Sequence, residues 1–178
     1  MRAVASSFVV AVVVIVVAGS GCGAATVDFD VPVRAETRLE GAGLVDQVLG
    51  SVGFADLENV DFETTQEFKN NDVRREQVVD ARVTVLNLSI TSPQGANFDW
   101  LNSIAFTAAA AGEDSVAIAS ATVDDGEAAV ACDVESVDVG PLVRAPKLEI
   151  TTETDARAPP NDTTVQVDVN FHIRAEVL

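Results

Sequence analysis

Val165-Gln166-Val167-Asp168-Val169-Asn170-Phe171-His172-Ile173 places an apolar side chain at every second position and a polar one between them. That period of two puts Val165, Val167, Val169, Phe171 and Ile173 on one face of an extended chain, the pattern of a strand with one face buried. The same pattern recurs upstream. Val27-Asp28-Phe29-Asp30-Val31-Pro32-Val33 alternates, and Pro32 falls on the polar phase, which assigns this strand to a sheet edge where a missing N–H is harmless. Val79 to Thr91 alternates over much of its length and stops at the turn Ser92-Pro93-Gln94-Gly95. Ser103–Ala111, Ser115–Val123, Glu127–Val134 and Lys147–Thr154 are further strand candidates, separated by Gly-, Asp- and Pro-rich turns.

Helix is scarce. Leu44, Val45, Val48, Leu49 and Val52 recur at three- and four-residue spacing between glycines, predicting one short amphipathic helix over Leu44–Val52. Single helical turns are expected at Asp72–Gln77 and near Pro141–Arg144. Many short strands with few helices predict a mainly β fold, an antiparallel β-sandwich of immunoglobulin-like architecture, with a small antiparallel β-barrel as the alternative. The absence of Tyr and of a Cys–Trp–Cys spacing argues against a true antibody-type domain. With 5% aromatics, the core has to be built mainly of Val, Ala, Leu and Ile, which suit sheets.

The chain has 178 residues, enough for one domain of roughly 100–200 residues. Its 28 acids against 11 Lys+Arg give a net charge of −17, which argues against nucleic acid as a partner because phosphates would repel it. Two cysteines and one histidine leave little material for a disulfide scaffold, a Cys-cluster zinc site or a Ser-His-Asp arrangement. No cofactor and no metal site is expected.

The first residues read as an address. Met1-Arg2-Ala3 supplies a basic start, Phe8–Ala18 (FVVAVVVIVVA) holds no polar residue, and Gly19-Ser20-Gly21 precedes Cys22. A short basic start, an apolar run and small residues make a secretory signal peptide; the run is shorter than the about 20 residues a spanning helix needs. Ser20-Gly21-Cys22 resembles the lipobox of bacterial lipoproteins, with Gly19 where an aliphatic residue is usual. The resemblance covers residues 1–22 only. It implies removal of residues 1–21 and acylation of Cys22, with palmitate-class chains holding the protein to a membrane. Gly23 after the Cys favours the outer over the inner membrane. The expected organisation is thus a signal peptide over 1–21, a lipidated tether over 22–26 and a single sandwich domain over 27–178. In an oxidising compartment, a Cys22–Cys132 disulfide is the alternative fate of Cys22.

Charge is uneven. Arg82 and Arg144 bracket a stretch without Lys or Arg that contains Asp99, Glu113, Asp114, Asp124, Asp125, Glu127, Asp133, Glu135 and Asp138. A cation or a basic partner could be held there, Asp124-Asp125-Gly126-Glu127 being the densest point, but the spacing is not that of an EF-hand and acids at sheet loops usually serve solubility. His172 shares its strand face with Asp168 and Asn170, yet no nucleophile motif accompanies it, and an exposed strand histidine is the expectation. Cys132 reads as a small buried residue or a half-exposed strand thiol, without a positive neighbour. Trp100 reads as a plug for one end of the sandwich. These residues predict a non-catalytic cell-envelope lipoprotein serving as a binding or structural module, with a protein or lipid partner in the envelope. The alternative is a lipid carrier with an apolar cavity between sheet and helix. A carboxylate hydrolase would need two acids facing one another about 5–9.5 Å apart.

Overall fold

The structure is a computed structural model and describes residues 25–42 and 48–177. Among the described residues, nine strands form two antiparallel sheets. The strands are β1 (Ala25–Leu39), β2 (Val48–Leu49), β3 (Val78–Ser92), β4 (Leu101–Ala110), β5 (Val116–Thr122), β6 (Ala129–Ala131), β7 (Asp133–Val134), β8 (Leu148–Arg157) and β9 (Thr163–Val177). The first sheet has the order β1-β9-β3-β6 and the second β2-β8-β4-β5-β7. Their apolar faces pack on one another, and the described strands form two separate sheets rather than a closed barrel.

The period-two segments become strands because burying one face of each satisfies the hydrophobic effect while the ladder satisfies the backbone. In β9, Val165, Val167, Val169, Phe171, Ile173 and Ala175 are all buried, and the intervening side chains face water. β9 is central in its sheet. It pairs with β1 residue for residue from Ala25↔Val177 to Leu39↔Thr163, and with β3 on its other side. β1 lies at the edge, and Pro32 sits there exposed, as its missing N–H requires. Ala25 and Thr26, in the stretch expected as tether, are paired in β1 with Val177 and Glu176.

β3 departs from simple alternation, with register shifts against β9 between Val78 and Asp80, Val83 and Val85, and Ile90 and Ser92. Each bulge inserts a residue and flips the inward–outward phase of the strand beyond it. Val79 and Val85 therefore turn outward, while Ala81, Val83, Leu86 and Leu88 point into the core. Residues Ala129–Val134 change sheets: β6 pairs with β3, and two residues on β7 pairs with β5. Cys132 is the corner, its N–H donating to the Leu86 carbonyl at 2.9 Å.

Two short helices sit at the sandwich's borders, α1 (Gln66–Asn70) and α2 (Gly140–Arg144), with 3-10 turns at Ala55–Leu57, Phe62–Thr64 and Arg75–Gln77. α1 starts at Thr65, whose hydroxyl accepts from the Phe68 N–H, and α2 carries Pro141 in its first turn, where a missing N–H costs nothing. The structure corrects the helix expected over Leu44–Val52. Residues 44–47 lie outside the described residues, and Val48–Leu49 is strand, paired with Arg157 and Ala156 of β8. Val48 is exposed while Val52 is buried, so the three- and four-residue spacing does not mark one helical face. The segment instead covers the edge of β8: Thr154 Oγ1 donates to the Leu49 carbonyl (2.9 Å) and Thr152 Oγ1 to the Val52 carbonyl (2.6 Å).

One end of the core is aromatic. Phe62 meets Phe171 edge to face at 5.1 Å, Phe29 meets Phe68 likewise at 5.3 Å, and Phe62 and Phe68 are 5.9 Å apart. The other end is closed by Trp100, buried 5.7 Å from Phe98.

Candidate functional site: the charged face around His172

The solvent face of the first sheet is set by the β1–β9–β3 register. Because side chains alternate, the even-numbered residues of β1 and β9 share the outer face, and the register puts Asp28 opposite Arg174, Asp30 opposite His172 and Arg34 opposite Asp168. His172 Nδ1 stands 3.0 Å from Asp30 Oδ1, and its Nε2 stands 3.7 Å from Asp28 Oδ1. Arg174 Nε donates to that same Asp28 oxygen at 2.9 Å. On the β3 side, Arg82 lies opposite His172 and pairs with Asp80 at 2.8 Å. Farther along, Arg34 donates to Asp168 at 2.6 Å, and Arg38 to Asp162 at 2.7 Å.

Asp168 and Asn170 do share the face of His172, but neither orients it. Asp168 is held by Arg34 and by the Gln166 amide, while Asn170 bonds the Thr84 hydroxyl at 3.0 Å. The carboxylates that meet the imidazole come from β1, a partnership across 142 residues that no local spacing could reveal. Acids and bases alternate across the strands, so the face neutralises itself. Such an arrangement fixes strand register, and because the pairs are solvent-exposed each contributes little to stability.

The outer face of the second sheet is different. A shallow cleft of about 380 Å³ there is lined by Ser103, Ala105, Ser120, Thr122, Asp133, Glu153 and Asp155, hydroxyls and acids over a small-residue floor. A second open cleft, of about 430 Å³, lies where β3 begins, between Gln77, Val79, Arg144 and Glu176.

Within the acidic stretch, individual carboxylates tie loops to strands. Asp99 accepts from the Gly126 N–H at 2.6 Å, and Gly126 takes φ +88°, a backbone that suits glycine. Asp138 accepts from the Ala81 and Gly140 amides at 3.1 and 2.8 Å. Among the described residues, no group of three or more His, Cys, Asp or Glu is gathered as metal ligands would be. Burial, with a smaller contribution from Asp133, pushes the Cys132 thiol up to about 12, so it is protonated at neutral pH. Cys22 lies outside the described residues. No described helix is long and apolar enough to cross a membrane.

The chain matches no family model and no curated protein.

Proposed function

We propose that this chain is a non-catalytic lipoprotein of the cell envelope, exported and fastened to a membrane through acylated Cys22, whose immunoglobulin-like sandwich acts as a binding or structural module. The observation that supports the reading is how close in sequence the described sandwich comes to Cys22. Ala25, three residues after Cys22, pairs with Val177 in a continuous ladder. A leader ending at a thiol that lies three residues from a paired strand residue is the arrangement of an anchored domain and leaves the anchor close to the body.

The chemistry of the described face agrees with a structural or binding role. The sole histidine is engaged by the carboxylates of Asp28 and Asp30, and the Cys132 thiol is held protonated by burial. Neither arrangement prepares a nucleophile.

Labelling growing cells with a radioactive fatty acid tests the anchor. The wild-type chain takes up label and Cys22→Ser does not. Equal labelling of the two proteins would remove the lipoprotein reading, whatever the sandwich binds.

A further inference from the structure

We infer that the pole of the sandwich where β1 begins lies against the phospholipid headgroup layer, with Val79 and the guanidiniums of Arg74 and Arg144 as its contact surface. This orientation rests on the acylation of Cys22 proposed above and adds which part of the domain meets the bilayer.

The link to the anchor is short. From Cys22 to Ala25 there are three Cα–Cα steps, spanning at most about 11 Å. The sandwich is far longer: β1 has 15 residues, and at about 3.3 Å per residue the strand runs for about 50 Å. An anchor on so short a link holds the beginning of β1 at the membrane and leaves the other pole well away from it.

The surroundings of that beginning suit a headgroup layer. Ala25 pairs with Val177, Val78 with Ala175, and the Gln77 amide donates to the Glu176 carbonyl at 2.9 Å, so the start of β3 is beside the start of β1. There the first bulge of β3 turns Val79 outward, 46% exposed, beside the open cleft. Arg144 reaches this site from α2, its Nη1 donating to the Val78 carbonyl at 2.9 Å, and Arg74 stands exposed just before β3. Among the described residues neither Arg74 nor Arg144 is in an ion pair, whereas nearby Glu76 is paired with Arg75. An exposed apolar side chain flanked by guanidiniums that have no carboxylate partner among the described residues matches a layer of phosphates over hydrocarbon.

The opposite pole also has an exposed valine beside an arginine, Val48 opposite Arg157, but it adds a cluster of acids. Asp99, Asp124, Asp125 and Glu127 gather there around the end of β3, where the Phe98 amide bonds the Glu127 carbonyl and Ile90 bonds Ala128. Headgroup phosphates repel these acids, whereas the near-pole cleft sets the Arg144 guanidinium against Glu76 and Glu176, so the tether is what decides the orientation. The acidic turn Glu113–Asp114 follows β4 on the second sheet, which tilts the contact toward the first sheet, where β1 starts.

The test uses the full chain, carrying Cys132→Ala and one new thiol, in phosphatidylcholine vesicles whose headgroups bear a nitroxide quencher. A fluorophore on Val79→Cys should be quenched severalfold more than one on Gln94→Cys, in the turn at the far end of β3. Arg74→Cys serves as the near-pole site if circular dichroism shows Val79→Cys misfolded. Equal quenching, or more at Gln94→Cys, overturns the orientation. Intact mass separates the two readings: an unacylated chain loses the anchor and this inference together, whereas an acylated chain with equal quenching loses only this inference.

Discussion

His172 Nδ1 and Asp30 Oδ1 lie 3.0 Å apart across the β1–β9 ladder, joining the last strand of the chain to the first. The imidazole is 36% exposed and Asp30 more so, which lets water screen the pair. His172→Ala is expected to lower stability by less than about 1 kcal/mol in urea unfolding, as is Asp30→Asn. A loss of several kcal/mol from either would mean that this face is coupled to the core rather than being a solvated register lock.

Phe68 should behave in the opposite way. It is fully buried, anchors the five-residue α1, and meets Phe29 edge to face at 5.3 Å. A helix this short has no stability of its own and depends on that contact. Phe68→Ala should cost about 3–5 kcal/mol, as should Phe171→Ala on β9, measured by the shift in denaturant midpoint. A shift matching that of His172→Ala would refute this aromatic packing.

The contrast between these two sites also explains what the sequence reveals. Strands were legible wherever alternation was strict: Lys147–Thr154 reappears as β8 and the Val165–Ile173 pattern as the centre of β9. The ends ran short because Arg34, Glu36 and Arg38 continue β1 with only Ala35 and Thr37 between them, residues that carry little apolar signal. β3 showed broken alternation because a bulge changes the phase without changing the composition. The helix expected over Leu44–Val52 failed at Val48–Leu49, since short apolar spacing does not distinguish a helix from an edge-covering strand. Conversely, α1 has a single buried residue and no periodicity to display. The face around His172 was half legible. Its own strand named Asp168 and Asn170, but register decides contact, and register is a property of the fold.

Gly41 is predicted to be intolerant of a side chain. A Cβ there would come within 2.8 Å of the Asn161 backbone, in the loop that precedes β9. Its own N–H donates to Asp162 Oδ1 at 3.1 Å, fixing the loop. Gly41→Ala should destabilise by about 1–3 kcal/mol through this overpacking. Gly50→Ala meets nothing within 4 Å and should stay within about 0.5 kcal/mol of the parent. Reversal of that order in thermal unfolding would contradict the close approach of the two loops.

Cys132 gives an alkaline prediction. Its thiol is pushed up to about 12, first by burial and then by Asp133, whereas the unfolded chain titrates near about 8.5. Between those values the unfolded state loses a proton that the folded state keeps. Stability should therefore be unaffected below the lower value and should fall as pH rises through that window. Alkylation of Cys132 by iodoacetamide at pH 8, followed by mass mapping of its peptide, should be slow in the native protein and fast in urea. Rapid native labelling would show the corner between β6 and β7 to be open.

Asp162 supplies the matching acid limb. The hydrogen bond from Arg38 is the largest influence on it, the Gly41 amide adds a second, and together they hold its carboxyl below the usual carboxylate range. A depressed folded value means that its contribution is present above the unfolded value and lost as pH falls through the folded one. Both side chains are solvated, so the contribution is small and screened by salt. The direct readout is the carboxyl carbon of Asp162 followed by nuclear magnetic resonance from pH 6 to pH 2. Its inflection should fall below that of an unpaired aspartate, and Arg38→Gln should move it upward. An inflection indifferent to Arg38→Gln would mean that the guanidinium does not hold the carboxylate in solution, and that the Gly41 amide alone joins Asp162 to the end of β1.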